Sequence, residues 1–196
     1  MKKIVIACLG DSITFGHGVA DTREKDAWTF VLQRLLGGGY EVHNYGRNGA
    51  TAIEDVPDSY MDTGLPDKAV RKHADICILM LGTNDTKSRY WNAEAYRKGL
   101  MSIAGRILKE GSGRLILMLP PCIFPSDDGT TAYDVSAYIL AEEVIPIIRE
   151  TAEHLGADVI DLYSITKDHP EYYLEGVHPN IQGNRAIAEE IFRHLK

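Results

Sequence analysis

No apolar run in this 196-residue chain approaches the roughly 18 residues that a membrane-spanning helix needs. Cysteine is scarce and odd in number. Cys8, Cys77 and Cys122 lack the close spacing of a disulfide framework or a zinc site, so they read as free thiols in or beside strands. Positive charge is outnumbered, with 21 Lys and Arg against 28 Asp and Glu and a net charge of −7. That balance argues against a nucleic-acid partner, which usually meets a basic patch. It also argues against an anionic membrane surface. Internal repeats, low-complexity segments and interdomain linkers are missing. No Gly-Lys-Ser/Thr occurs, and the spacing of Gly10, Gly16 and Gly18 fits neither a P-loop nor a dinucleotide fingerprint. The seven histidines form no metal-binding pattern, and no cofactor is implied.

What remains is an ordinary globular composition, 44% hydrophobic and 25% charged, long enough for a sizeable core and most simply one domain over residues 1–196. Met1-Lys2-Lys3 before an apolar run mimics the start of a signal peptide. The run is short and lacks a small-residue cleavage site. As written the chain reads as cytoplasmic; a leader removed beforehand would make it periplasmic or secreted.

The chain is organised around its first strand and the turn after it. Ile4 to Leu9 is apolar and half β-branched, as a strand buried on both faces should be, and it stops at Gly10-Asp11-Ser12. Phe15 to Asp26 reads as a loop. Ala27 to Leu36 has Trp28, Val31, Leu32 and Leu35 at helical spacing and ends at Gly37-Gly38-Gly39. Further strands are expected over Tyr40 to Tyr45, Asp75 to Leu81, Arg114 to Leu119 and Asp158 to Leu162. Helices are expected over Ala93 to Lys109, Ala137 to Leu155 with a kink at Pro146, and Ile181 to Leu195. The region between the second and third strands is helical or irregular, and Cys122 to Asp134 is a loop. Alternating strands and helices predict a three-layer α/β/α sandwich with a five-stranded parallel sheet in the order 2-1-3-4-5.

Three polar turns follow three apolar strands: Gly10-Asp11-Ser12, Gly46-Arg47-Asn48 and Gly82-Thr83-Asn84-Asp85. A fourth polar stretch, Glu175-Gly176-Val177-His178-Pro179, precedes the last helix. In a parallel sheet the first three lie on one edge, where ligands bind. Acyl transfer needs a nucleophile, a base, a group orienting that base and donors for the oxyanion. Ser12, His178, Glu175 and the pair Gly46 and Asn84 would supply them. Gly111-Ser112-Gly113 comes before a strand, so it is not a nucleophile elbow.

These four blocks, in this order and across nearly the whole chain, resemble the SGNH hydrolases, also called GDSL-type esterases. The resemblance implies that Ser12 is the nucleophile and His178 its base. It implies an oxyanion hole made by the Ser12 amide, the Gly46 amide and the Asn84 side chain. The family usually carries Asp three residues before the histidine. Here Glu175 stands there, either as the acid of a Ser-His-Glu triad or facing solvent beside a working dyad. Asp11 is expected to bond backbone amides around its turn, and it is also carried with Arg89 and Trp91 as a residue that touches substrate. Trp91 would stack on a sugar ring or else pack at the start of the next helix. His17, in Gly16-His17-Gly18 after the nucleophile turn, is read as a surface loop residue, with contact to substrate as the alternative.

The run Gly82 to Lys87 with Trp91 close behind looks like family members that act on acetylated carbohydrates. The expected activity is therefore a serine esterase removing short acyl groups, O-acetyl above all, from a sugar or glycan. A broad lysophospholipase or thioesterase is the alternative within the family. A non-catalytic carbohydrate-binding or flavodoxin-like domain is the alternative outside enzymes.

Overall fold

The computed structural model describes residues 2–111 and 113–196. Met1 and Ser112, on which the signal-like start and the Gly111-Ser112-Gly113 reading fall, lie outside the described residues. Five strands form one parallel sheet in the order β2-β1-β3-β4-β5. They are β1 (Ile4–Gly10), β2 (Tyr40–Gly46), β3 (Ile76–Met80), β4 (Arg114–Leu119) and β5 (Asp158–Asp161). In register, Gly10 of β1 lies between Gly46 of β2 and Met80 of β3. The strand ends that carry the polar turns therefore meet at one edge.

Successive side chains of a strand point to opposite faces. Ala7 and Leu9 accordingly join Leu79, Leu117, Tyr96, Leu100 and Ile148 in one core. Ile6 and Cys8 join Ile78, Met80, Trp28, Leu32 and Ile187 in the other. Burying each such large side chain contributes about 1.5–3 kcal/mol, which is why the strands read as unbroken apolar runs. The helices covering these faces include α1 (Ser12–Phe15), α2 (Trp28–Leu36), α3 (Ala93–Glu110), α4 (Ile145–Leu155) and α5 (Ile181–Leu195). Asn92 and Asn180 cap α3 and α5 by accepting bonds from backbone N–H groups.

The structure corrects three expectations. Phe15 to Asp26 is not an open loop; it holds a 3-10 segment (His17–Thr22) and a helical turn (Arg23–Asp26), too short to show a period. Residues 122–134 close with a 3-10 turn, Ala132–Asp134. The expected kink at Pro146 takes the form of a π-helical stretch, Leu140–Val144, just before it. Proline lacks the N–H that would continue the ladder, and the wider turn of the π-helical stretch accommodates it inside a helix that is continuous across Val144 and Ile145. Among the described residues no disulfide joins the three cysteines, with Cys8 in β1 and Cys77 in β3.

Candidate active site

The site is built where β1 ends. A Cβ on Gly10 would lie 2.3 Å from Thr14 Oγ1 and 2.5 Å from the Met80 carbonyl, so only glycine lets the chain turn there. Asp11 caps α1, its Oδ1 accepting from Ile13 N–H at 2.9 Å. Ser12 then occupies the first position of α1, against the partial positive charge of a helix start. Asn44 ties β2 to this turn by donating to the Thr14 carbonyl at 2.6 Å and to Thr29 Oγ1 at 2.8 Å.

His178 arrives from the other end of the chain. Its Nε2 lies 2.9 Å from Ser12 Oγ, and its Nδ1 is hydrogen-bonded to Glu175 Oε1. With the ring proton on Nδ1 donated to the carboxylate, Nε2 is free to accept from the serine hydroxyl. Gly176, at φ +82, lets the intervening turn pack against Phe124, whose N–H donates to the Gly176 carbonyl at 2.8 Å. His178 is only 5% exposed. Burial lowers its pKa from the ordinary value of 6.5, and the hydrogen bond to Glu175 opposes that shift. A base works only when neutral, so activity should rise with pH through an acid limb lying below pH 6.5. A pH profile of kcat/KM checks this, and a limb at or above 7 would contradict it.

A small cavity of about 110 Å³ opens on Ser12 and His178. Asn84, Lys87, Val135 and Val177 form part of its wall. Asn84 donates from Nδ2 to the Ala50 carbonyl at 3.2 Å. That bond uses one of its two amide hydrogens and holds the group in place.

Gly46, expected as an oxyanion donor, is not in this wall. Its N–H donates to Asn44 Oδ1 at 2.9 Å, and a Cβ there would lie 2.1 Å from Phe15 N. Gly46 is glycine because α1 packs on it. The cavity is lined instead by Gly49, three residues on, at φ +80. The second glycine of Gly46-Arg47-Asn48-Gly49, not singled out from the sequence, is the signal that could have found it.

Asp11 does not face substrate. It is fully buried and spent on its cap, and burial pushes its carboxyl up to about 7. Nearby Asp85 is likewise buried, accepts from Ile53 N–H at 2.9 Å and is pushed up to about 6. Trp91 packs on Tyr96 and donates to Glu143 Oε2 at 3.3 Å, at the start of α3 and away from the cavity. The Arg89 guanidinium lies over the Tyr90 ring, again outside it. His17, read as a surface residue, lines the cavity with its ring 4.5 Å from that of His178. Tyr133 meets His178 edge-on at 5.0 Å. It was not singled out from the sequence, because a tyrosine in a polar loop carries no motif. Among the described residues no cluster of three or more His, Cys, Asp or Glu could hold a metal ion. No helix among them is long and apolar enough to cross a membrane.

A parallel sheet with a serine and a histidine in contact at its carboxyl edge is an arrangement that serine hydrolases use. Residues 8–186 match the GDSL-like Lipase/Acylhydrolase family, and the chain belongs to that family of carboxylic ester hydrolases. An acetylxylan esterase from Xylanibacter ruminicola is 29% identical over 214 residues, a match covering 98% of this chain. The chain spans 43% of the length of that relative. Among solved structures, a carbohydrate acetylesterase from Sinorhizobium meliloti superposes with a TM-score of 0.80 at 22% identity, over 98% of each chain. The aryl esterase of M. smegmatis superposes with a TM-score of 0.79 at 23% identity, over 100% of this chain and 98% of its own. These two establish likeness of fold.

Proposed function

We propose that this protein is a serine esterase that removes short acyl groups, acetyl above all, from a saccharide. The observation that carries the reading is the contact of Ser12 Oγ with His178 Nε2, whose other nitrogen is bonded to Glu175. Ser12 Oγ attacks the ester carbonyl carbon as its proton passes to His178 Nε2. The tetrahedral oxyanion is held by the Ser12 and Gly49 amides and by the remaining amide hydrogen of Asn84. The intermediate collapses, the C–O bond to the alcohol breaks, and His178 returns the proton to the leaving oxygen. Water then attacks the acyl-serine, His178 taking its proton; the second tetrahedral intermediate collapses, the acyl C–Oγ bond breaks, His178 returns the proton to Ser12 Oγ, and the carboxylic acid leaves.

The likeness to an acetylxylan esterase supports the saccharide as the alcohol. It also supports acetyl as the acyl group. p-Nitrophenyl esters from acetate to octanoate test the reading. kcat/KM should be highest for acetate and fall at least tenfold by hexanoate, and acetate should be released from acetylated xylo-oligosaccharides. A preference for octanoate would move the assignment to a lipase or thioesterase.

Asn84→Ala should lower kcat by about 10²–10³, the usual cost of one oxyanion donor, with little change in KM. Steady-state kinetics on p-nitrophenyl acetate read this, and a loss confined to KM would remove Asn84 from the transition state.

A further inference from the structure

A second cavity of about 590 Å³ adjoins the catalytic one, and His17 lines both. Its walls come from the 3-10 segment after the nucleophile turn and from the two ends of the His178 segment. These walls are locked together. A Cβ on Gly18 would lie 2.2 Å from the Pro179 carbonyl, and Leu174 N–H donates to the His178 carbonyl at 3.3 Å. Two large apolar side chains stand in the groove, Leu174 at 66% and Ile181 at 54% exposure. Large hydrophobic side chains are otherwise mostly buried among the described residues. Polar Asp21, Thr22 and Gln182 share the groove with them.

Chemistry decides which part of an ester would lie here. His178 must reach the leaving oxygen to protonate it, so the alcohol portion leaves past the rings beside His178. His17 is one of those rings, and it is the one shared with the groove. The catalytic cavity is the smaller of the two, at about 110 Å³. The groove has the size of ordinary ligand sites, which run from about 300 to 1,000 Å³. A saccharide ring presents an apolar face and a rim of hydroxyls, which matches two aliphatic side chains beside a carboxylate, a hydroxyl and an amide.

Resting on the esterase reading above, we infer that the groove of Leu174, Ile181, Asp21, Thr22 and Gln182 is the leaving-group subsite, binding the saccharide from which the acyl group is removed. It sets the preference for glycan esters over simple ones.

The test compares acetylated xylo-oligosaccharides with vinyl acetate, whose leaving group has two carbons. In Leu174→Ser/Ile181→Ser the ratio of kcat/KM for the saccharide to that for vinyl acetate should fall at least fivefold, through KM for the saccharide. Because Leu174 adjoins Glu175, Ile181→Ser alone is the second variant, and its ratio should fall at least twofold. An unchanged ratio in both variants, with the wild type deacetylating the saccharide, would overturn the subsite and leave the esterase reading standing. A wild type that turns over vinyl acetate but no saccharide would overturn the saccharide reading itself. Light scattering covers the other occupant. A wild-type dimer that Leu174→Ser/Ile181→Ser converts to monomer, with the ratio unchanged, would make this face a contact between copies of the chain and overturn the subsite.

Discussion

Ser12→Ala is expected to lower kcat on p-nitrophenyl acetate by on the order of 10⁶, the scale on which removal of the nucleophile disables a serine hydrolase. That corresponds to about 8 kcal/mol of transition-state stabilisation, far beyond the 10²–10³ expected of one oxyanion donor. The difference has a physical source. Without Oγ no acyl-serine forms, and His178 has no proton to take, so the contact at 2.9 Å loses its purpose as a unit. Effects within such a unit do not add. His178→Ala should therefore cost about as much as Ser12→Ala, and the double variant hardly more than either. Folding should survive, because Ser12 is a small side chain at a helix start capped by Asp11 rather than by itself. Steady-state kinetics with a thermal melt of each variant check this. Turnover by Ser12→Ala within tenfold of wild type would end the nucleophile assignment.

Glu175→Gln is expected to cost about 10⁴ in kcat, as the loss of the orienting acid does in triads of this logic. The carboxylate accepts a hydrogen bond from His178 Nδ1. A glutamine would turn its NH₂ toward that nitrogen and draw the ring proton to Nε2, where it would face Ser12 instead of accepting from it. A second signature separates this from simple misfolding. Glu175 raises the pKa of His178 against the lowering effect of burial. Removing the charge lets the pKa fall further, so the acid limb of kcat/KM should move to lower pH in whatever activity remains. Glu175→Asp keeps the charge and should retain more activity than Glu175→Gln. Full activity in Glu175→Gln would mean that the histidine is oriented by another group and that the site works as a dyad.

The sheet was readable because β1, β3 and β4 are buried on both faces, which leaves unbroken apolar runs such as Ile-Cys-Ile-Leu-Met. Each run stops at a turn rich in glycine or proline. The positions of Ser12, Asn84 and His178 were legible for the same reason, since polar residues crowd the ends of those strands or the start of α5. The short 3-10 turns at His17–Thr22 and Ala132–Asp134 were not legible, because three to six residues show no period.

Glycine in the second block illustrates the boundary. Gly46 and Gly49 are equivalent as letters in one turn. One lies under the backbone of α1 and the other in the cavity wall, and only the packing of α1 on β2 separates them. Trp91 is the converse case: an aromatic close to Asn84 in sequence turns toward Tyr96 and Glu143 on α3 and the π-helical stretch. His17 is exposed, as a surface loop residue should be, yet its ring stands beside that of His178. The amino-acid sequence by itself determined the alternation of elements and the chemical types at the strand ends, because local periodicity and turn chemistry act over neighbouring residues; the sheet order followed from that alternation through the right-handed crossovers of a doubly wound sheet. Only the tertiary structure decided which glycine, which histidine and which aromatic face the cavity, because those choices depend on contacts between segments up to 166 residues apart.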